Sequence, residues 1–179
     1  MLFSRVWAMP NSNTFDIQPI NQFVRKYKER FSISIDPFAR DNSIGATYSN
    51  DLNLKTSSDY HMDAIDFLTM LVNKNIYADL IIFDPPYSPR QISECYASAG
   101  LTCGMKDTQN ARLCKECRDL FKKLSRPGTI CLSFGWNSTG MGKNLWDILE
   151  IMLVCHGGGH NDTICVAQKF IDNQIRLFN

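Results

Sequence analysis

The sequence carries no excess of charge of either sign. Its 179 residues have a formal net charge of +1, so any contact with a nucleic acid must come from local patches rather than a general attraction to polyanions. Long apolar runs are also lacking. The longest ones, around Leu80–Phe83 and Ile148–Cys155, are far too short to cross a bilayer. The opening residues, Met1–Arg5, lack the apolar core and cleavage site of a signal peptide. These absences predict a soluble, cytoplasmic protein with no membrane partner.

Internal repeats, low-complexity tracts and linkers are absent as well. Hydrophobic residues make up 44% of the sequence and charged residues 21%, which are ordinary values for a globular protein. The chain is long enough for one domain with a full core and little beyond it. We therefore expect a single domain over residues 1–179, without a separate target-recognition domain.

The seven cysteines are an odd number, which argues against a complete set of disulfides. Three of them stand in strand-like apolar runs: Cys131, Cys155 and Cys165. We expect these three to be reduced core residues. Cys114 and Cys117 have a zinc-like spacing, but their distances along the chain to Cys95 and Cys103 are irregular. We predict no metal site, and a zinc-stabilised interaction protein is the alternative.

The alternation of strand-like and helix-like segments predicts an α/β fold. Helices are expected where apolar residues recur at helical spacing, over residues 19–30, 64–71 and 113–124. Strands are expected over 31–36, 46–49, 78–83, 129–134, 147–155 and 163–170. This order predicts a mostly parallel sheet whose last two strands, joined by a short glycine-rich link, are antiparallel. The opening is expected to be strand-poor, and a loop of roughly two dozen residues is expected after Tyr87.

The tetrapeptide Asp84-Pro85-Pro86-Tyr87 is the most informative motif, and it directly follows the apolar run 78–83. Neither proline can donate a backbone N–H and each fixes its own φ, so the turn is stiff and its carbonyls point outward. Asp84 and the Pro85 carbonyl would be neighbouring acceptors beside the flat ring of Tyr87. That arrangement suits a planar group with an exocyclic amino group, such as the amino edge of adenine or cytosine. A proline-rich turn without function is the alternative.

Acidic residues recur at the expected ends of strands and the start of a helix. They stand at four places: Asp36, Asp51, Asp63 and Asp84. In an open α/β sheet, ligands bind beyond the carboxyl ends of the strands. Acidic residues also cap helices and form turns at such places. Four in sequence order, with Asp84 in its proline turn, favour a nucleoside-containing cofactor.

These segments resemble the ordered signatures of S-adenosylmethionine-dependent amino-methyltransferases, most of all the N6-adenine DNA methyltransferases of bacteria and their mobile elements. The matching segments are Asp36-Pro37-Phe38-Ala39, Asp51, Asp63-Ala64-Ile65-Asp66-Phe67-Leu68 and Asp84-Pro85-Pro86-Tyr87. Residues 10–15 are similar to the segment that closes over the methionine part of the cofactor. The resemblance runs from about Pro10 to Phe170. It implies a Rossmann-like class I methyltransferase domain, with a mostly parallel seven-stranded sheet and an antiparallel C-terminal strand.

The resemblance also implies a role for each matching residue. Binding of the cofactor S-adenosylmethionine is implied for Pro10, Asn13, Thr14, Phe15, Asp36, Pro37, Phe38, Asp51, Asp63 and Ala64. Asp36 and Phe38 would line the methionine end of its pocket. Asp51 would accept from the ribose hydroxyls, and Asp63 would face the adenine ring. The catalytic residues implied for the target base are Asp84, Pro85, Pro86 and Tyr87.

The turn after Asp36 departs from the pattern of that family. Its members usually continue Asp-Pro-Phe-Ala with glycine, a small residue and glycine, which lets the backbone approach the cofactor closely. Here Arg40-Asp41-Asn42-Ser43 stands instead, and Gly45 comes late. Side chains are therefore expected where the cofactor carboxylate would lie, and Arg40 could pair with that carboxylate.

Two segments, the one after Tyr87 and residues 135–143, are expected to form the walls of a target pocket, although solvated loops are the alternative. The substrate-binding candidates are Tyr87, Arg90, Trp136, Asn137 and Lys143, with Arg90 and Lys143 as phosphate contacts. The predicted function is methyl transfer to N6 of adenine in DNA, on a base that is extruded or single-stranded. Cytosine N4, an RNA adenine, a protein glutamine, or an inactive nucleic-acid-binding module are the alternatives. Target recognition would fall to residues 88–112, to a homodimer or to a recognition partner, unless the enzyme is undiscriminating.

Overall fold

The computed structural model of the protein describes residues 1–102, 104 and 110–171. Its strands are β1 (Leu2–Trp7), β2 (Ser34–Asp36), β3 (Tyr48–Ser49), β4 (Ala78–Phe83), β5 (Ser125–Gly135), β6 (Trp146–Cys155) and β7 (Thr163–Phe170). Its helices are α1 (Gln18–Lys28), α2 (Ala64–Asn73), α3 (Pro89–Ser98) and α4 (Asn110–Leu124), and a 3₁₀ turn covers Thr14–Asp16.

The strands form one seven-stranded sheet in the order β1-β6-β7-β5-β4-β2-β3. β7 lies between β5 and β6 and is antiparallel to both, whereas all other neighbours are parallel. The prediction of an α/β fold with a mostly parallel sheet and an antiparallel C-terminal strand is confirmed. Because β2, β3 and β4 are parallel, their carboxyl ends meet at one edge of the sheet.

Different helices cover the two faces of this sheet. On one face α1 buries a stripe at helical spacing: Ile20, Phe23, Val24 and Tyr27. Glu150 of β6 accepts hydrogen bonds from Lys26 Nζ at 2.6 Å and from the Tyr27 hydroxyl at 2.8 Å, which fixes α1 to the sheet. On the other face α2 and α4 pack over the central strands, and Phe67 and Phe121 belong to one cluster with Ile81.

Strand β1 corrects the prediction of a strand-poor opening. It pairs in parallel with β6, from Leu2 opposite Glu150 to Trp7 opposite Cys155. Phe3 and Trp7 are 61% and 67% exposed. Apolar side chains therefore stand on the exposed face of this strand, and the alternation on which sequence interpretation depends is missing.

Helix α3 corrects the prediction of a long loop after Tyr87. Ser88 caps it by accepting from the Gln91 N–H at 3.2 Å, and Pro89 occupies the first turn. Ile92 is the buried residue of this helix. One buried residue gives no apolar periodicity, which is why the helix was not expected. The remainder of the expected loop includes residues 103 and 105–109, which lie outside the described part of the chain.

Several predicted boundaries were wrong by a few residues. β2 begins at Ser34 rather than at residue 31, because the Ile33 N–H bonds to Asp79 Oδ2 at 2.9 Å instead of joining a strand. β3 covers Tyr48–Ser49 alone, and β5 begins already at Ser125. The predicted bounds of β7 agree with the structure.

The predicted core cysteines Cys131, Cys155 and Cys165 are free and buried. Cys103, one member of the possible zinc set, lies outside the described residues. Among the residues that are described, no three histidine, cysteine or acidic side chains are arranged to hold a metal ion. In the same part of the chain, no helix has the length and apolar character needed to cross a membrane.

Candidate active site

Asp84 directly follows β4 at the carboxyl edge of the sheet. The Tyr87 hydroxyl donates a hydrogen bond to Asp84 Oδ1, and the Thr14 side chain also hydrogen-bonds to this carboxyl group. Burial raises the pKa of Asp84, whereas these two hydrogen bonds and the nearby positive charge of Arg40 act in the opposite direction. Asp84 is thus a partly buried acceptor that is already engaged by neighbouring side chains.

Tyr87 is held in place at both its backbone and its ring. Its N–H donates to Gln91 Oε1 at 2.7 Å, so the first turn of α3 fixes the end of the proline turn. Its ring centroid lies 5.8 Å from that of Trp136, and the two planes are inclined by 36°. A Cβ atom at Gly135 would lie 3.3 Å from the ring, which explains the glycine at the end of β5. Burial and the charge of Asp84 raise the pKa of Tyr87 well above its usual value.

A cleft with an empty volume of about 530 Å³ opens between the ends of β4 and β5 and helix α4. The target cleft, as we call it, is lined by Phe83, Pro85, Tyr87, Asn110, Cys114, Arg118, Ser133, Phe134, Gly135, Trp136, Asn137 and Gly140. The predicted Pro85, Tyr87, Trp136 and Asn137 therefore come together at one place. Asp84 is not part of this lining and is linked to it through its hydrogen bond to Tyr87.

The acidic residues predicted at the strand ends also lie close to one another. Burial raises the pKa of Asp36 to about 8, with further contributions from the charges of Asp84 and Asp51. Asp36 Oδ1 accepts from the Phe38 N–H at 3.0 Å. Asp51 Oδ1 accepts from the Asn53 N–H at 2.7 Å. Three carboxyl groups, those of Asp36, Asp51 and Asp84, therefore lie near enough to one another for their charges to interact.

Asp63 and Ala64 stand at the start of α2. Asp63 is the N-cap of this helix and accepts from the Ile65 N–H at 2.8 Å, while Ala64 is buried. Asn50 lies just after β3 and connects the start of α2 to the turn that follows β2. Its Nδ2 donates hydrogen bonds to the carbonyls of Pro37 at 3.2 Å and Met62 at 3.0 Å. Asp63 therefore has a capping role in addition to any role toward a ligand.

The turn that lacks the expected glycines adopts a backbone that glycine would favour. Arg40 and Asn42 have φ values of 51° and 48°, which lie in the left-handed region. The Arg40 carbonyl accepts from Ser58 Oγ at 2.7 Å, and Asn42 Oδ1 accepts from the Ala46 N–H at 2.7 Å. These bonds hold the conformation against its intrinsic cost of about 1 kcal/mol per residue.

The N-terminal segment 10–15 folds over this turn. Arg40 Nη1 donates to the Ser12 carbonyl at 2.7 Å, and Phe15 packs edge-on against Phe134 at 5.3 Å. Thr14 reaches Asp84 as described, whereas Asn13 Nδ2 bonds to Asp16 Oδ2 at 3.0 Å. The segment therefore lies beside both the acidic residues and the proline turn.

The two predicted phosphate contacts lie apart from the cleft. Arg90 is exposed on α3 and pairs with Glu94 at 2.7 Å. Lys143 is also exposed and is not among the lining residues. Neither residue is among those that line the cleft with Tyr87.

Two further residues at the cleft were not expected from the sequence. Gln168, buried in β7, accepts from the Met141 N–H at 2.6 Å and donates to the Gly142 carbonyl at 2.9 Å, which fixes the loop that carries Trp136 and Asn137. Arg118 of α4 lines the cleft, and its Nε is buried without a hydrogen-bond partner among the described residues. For Gln168 the available signal is a glutamine within an apolar, strand-like run. Arg118 gives no such signal, because α4 is recognised in the sequence by the spacing of its apolar residues alone.

Comparison with known proteins points to one fold. Neither a protein-family model nor a curated protein matches the sequence. Among solved structures, SMU.776, named as a methyltransferase and solved with SAH, is 12% identical with a TM-score of 0.57, over 83% of this chain and 49% of that one. The protein yhhF from Escherichia coli, also named as a methyltransferase, is 10% identical with a TM-score of 0.53, over 92% of this chain and 91% of that one.

A further solved structure, a SAM-dependent methyltransferase from Agrobacterium tumefaciens, is 10% identical with a TM-score of 0.50 and is matched over 87% of this chain and 62% of its own length. The chain thus spans about half of SMU.776 and less than two thirds of the Agrobacterium protein. At these identities the likeness concerns the fold. Together with the sheet order, it shows that the protein has the Rossmann-like class I methyltransferase fold.

Proposed function

We propose that this protein transfers a methyl group from S-adenosylmethionine to the N6 amino group of adenine in DNA. The observation that carries the proposal is the end of β4. There a carboxylate, two prolines of which Pro85 lines the target cleft, and a half-buried aromatic ring follow one another directly. Amino-group chemistry needs acceptors for the amino hydrogens and a flat surface for the base, and these residues are of the right types.

The acidic residues support the choice of cofactor. Asp36 is buried with a pKa raised to about 8, so ionising it without a cationic ligand is costly. A ligand that carries an ammonium and a sulfonium would offset this charge, and Asp51, whose charge acts on Asp36, would offer acceptors to its sugar. Asp36, Phe38, Asp51 and Asp63 are the residues that would hold it. The SAH bound to SMU.776, which shares the fold, supports the same choice.

The protein contributes mainly positioning and electrostatic stabilisation. The amino nitrogen of adenine is a poor nucleophile because its lone pair is delocalised into the ring. Asp84 and the Pro85 carbonyl would each accept a hydrogen bond from one N–H of the amino group. These bonds would turn the lone pair out of conjugation with the ring and stabilise the positive charge that develops on nitrogen. When bound, S-adenosylmethionine would supply an electrophilic methyl group on a positively charged sulfur, which would leave as a neutral thioether. Asp84 would accept the proton that the amino nitrogen loses on methylation.

The hydrogen bond between Tyr87 and Asp84 must give way to the substrate. In the structure the Tyr87 hydroxyl donates to Asp84 Oδ1, one of the two carboxylate oxygens that could accept from the amino group. Entry of a base beside the ring would replace this donor with an amino hydrogen of the substrate. Tyr87 would then contribute its ring as a stacking surface, together with Trp136, for a base that is extruded or already single-stranded.

The test is incubation of the purified protein with labelled cofactor and unmethylated DNA, followed by mass spectrometry of the nucleosides. We expect N6-methyladenine, a large loss of activity in Asp84→Ala and Asp84→Asn, and unchanged binding of S-adenosylmethionine by calorimetry in both variants. Asp84→Asn keeps the size of the side chain but adds a donor where an acceptor is needed. Methylation by Asp84→Ala at the rate of the parent would contradict the assignment of this residue.

The same experiment, repeated with RNA and with protein in place of DNA and with modified amino acids analysed as well, decides between substrates. N4-methylcytosine as the product, or methylation of RNA or protein in place of DNA, would keep the chemistry and change the acceptor. A protein that gives no saturable response to S-adenosylmethionine would instead be a binding module without activity.

A further inference from the structure

Arg118 is a charged side chain with an unsatisfied donor in the wall of the target cleft. It belongs to the face of α4 that also carries Asn110 and Cys114, at successive intervals of four residues, and all three line the cleft. Its Nε is buried and has no hydrogen-bond partner among the residues that the structure describes. Burying such a donor without a partner costs free energy, and a guanidinium cannot avoid this cost by losing its proton.

Within residues 1–102, 104 and 110–171, no carboxylate forms an ion pair with Arg118. The charge of Arg118 acts to lower the pKa values of three thiols, those of Cys114, Cys117 and Cys131. Burial raises the same pKa values by more. The other end of the cleft is aromatic, with Tyr87 and Trp136. The cleft thus joins a flat apolar surface to a half-buried cation whose Nε has no acceptor among the described residues.

Building on the proposed function, we infer that Arg118 determines which base is accepted, by donating a hydrogen bond to a ring-nitrogen acceptor of the target adenine. A purine that stacks on Tyr87 and presents its amino group to Asp84 and the Pro85 carbonyl needs a donor elsewhere in the cleft. Adenine carries acceptors at N1, N3 and N7 but no carbonyl oxygen. Arginine is a donor at every polar atom, so it can satisfy an acceptor of adenine but never an amino group.

A phosphate group would use the same donor chemistry. The burial of the unsatisfied nitrogen favours a base, because Arg118 lines the cleft together with the aromatic rings of Phe83, Phe134 and Trp136. Phosphates are more often bound by exposed side chains and backbone N–H groups that fix the register of a nucleic acid. The two sources are separated by the following experiment.

The probes are short single-stranded DNA pools of randomised sequence: one unmodified, and three in which adenine is replaced throughout by an analogue that lacks N1, N3 or N7 but keeps the amino group. The proteins are the parent, Arg118→Met and Arg118→Lys, with Arg112→Met as a control that removes a charge from the same helix at the exposed Arg112–Glu116 pair. Binding is measured by fluorescence anisotropy without cofactor, and methylation by transfer from labelled S-adenosylmethionine.

For the parent we expect one of the three analogues to weaken binding and kcat/KM by about 10- to 100-fold, which is the usual loss for a hydrogen bond to a charged group. Arg118→Met should lose as much on unmodified DNA and show no further loss with that analogue. Arg118→Lys should recover part of the activity, and Arg112→Met should behave as the parent does. Because Met keeps the apolar stem and removes an unpaired donor, Arg118→Met should melt at the temperature of the parent or above it.

Equal sensitivity of the parent and Arg118→Met to every analogue would overturn the inference. So would a loss in Arg118→Met that disappears at high salt with no analogue effect, since that result belongs to a phosphate contact. A melting temperature several degrees below that of the parent would mark Arg118 as structural and would also overturn it. A parent that methylates none of the pools would refute the proposed function itself, and the anisotropy measurements would still test Arg118 as a reader of the base.

Discussion

The Tyr87 hydroxyl both occupies Asp84 and lowers its pKa, so the substitution Tyr87→Phe should act in opposite directions at low and high pH. Phenylalanine keeps the ring on which a base would stack and removes the donor that competes with the amino group of the substrate. The perturbation therefore isolates one hydrogen bond. It separates the role of the hydroxyl from the role of the ring.

The magnitude follows from the type of bond. A hydrogen bond to a charged group is worth about 1.5 to 3 kcal/mol, and water will replace part of it in the variant. We therefore expect kcat/KM at high pH to rise by up to about 10-fold, since 1.4 kcal/mol corresponds to a factor of ten. At low pH we expect the opposite effect of Tyr87→Phe, a fall in kcat/KM. Without the donor from Tyr87 the pKa of Asp84 rises further, so Asp84 becomes protonated, and activity falls, at a higher pH than in the parent.

The assay is the initial rate of methyl transfer to adenine-containing single-stranded DNA across the pH range, with two controls. Tyr87→Ala removes the stacking surface as well and should lose about 1–3 kcal/mol of binding. Tyr77→Phe removes a hydroxyl from a ring that stacks on Arg126 instead, at 3.8 Å, and should leave the profile unchanged. A Tyr87→Phe variant with lower kcat/KM at every pH, or with an acid limb that does not move upward, would refute the competition that we describe.

Two further predictions concern stability. Burial raises the pKa of Asp36 from its ordinary value to about 8, so the folded state holds this proton more tightly than the unfolded state, and the free energy of unfolding should fall as the pH rises from about 4 to 8. Asp36→Asn should remove this pH dependence and be more stable than the parent at pH 8 by at least about 1 kcal/mol, as measured by urea unfolding. The same variant should bind S-adenosylmethionine more weakly, as measured by calorimetry. A cofactor affinity equal to that of the parent would contradict the role assigned to Asp36. Arg40→Gly and Arg40→Ala both remove a charge, but alanine must adopt the left-handed φ of 51°; urea unfolding should therefore find Arg40→Ala less stable than Arg40→Gly by about 1 kcal/mol, and equal stabilities would mean that the turn relaxes.

The parts of the fold that could be predicted are those in which burial leaves a periodic pattern. α1 and the central strand β4 are examples, because their apolar residues recur at the spacing of a helix or form a continuous buried run. β1 and α3 could not be found in this way. β1 places Phe3 and Trp7 on its exposed face, and α3 buries one residue, Ile92, so neither has a pattern. The cap formed by Ser88 was a usable signal for α3 that apolar periodicity alone does not register.

The candidate site divides along a similar line. The sequence places Asp36 and Asp84 at strand ends because such positions depend on local order alone, and the fold then brings them to one edge of the sheet. The direction in which a side chain points was not accessible. Two such directions matter here: that of the Tyr87 hydroxyl toward Asp84, and that of Arg118 toward the cleft rather than solvent. Both depend on how α4 packs against the sheet. Because α4 lies far along the chain from β4, this packing cannot be inferred from local sequence. Arg90 shows the same limit, since its place after the proline turn suggests a phosphate contact, and its exposed side chain on α3 pairs with Glu94, so that role stays a prediction.

The position of β7 has a consequence for how the protein acquires its structure during synthesis. β1 pairs with β6, and both join the other strands through β7, which leaves the ribosome after all of them. Until that last strand has emerged, the two halves of the sheet have no main-chain contact with each other, and the edges of β5 and β6 stay open to misplaced partners. A nascent chain stalled before residue 163 should consequently be sensitive to proteases throughout, and the pairing of distant segments should make folding slow for a protein of this size.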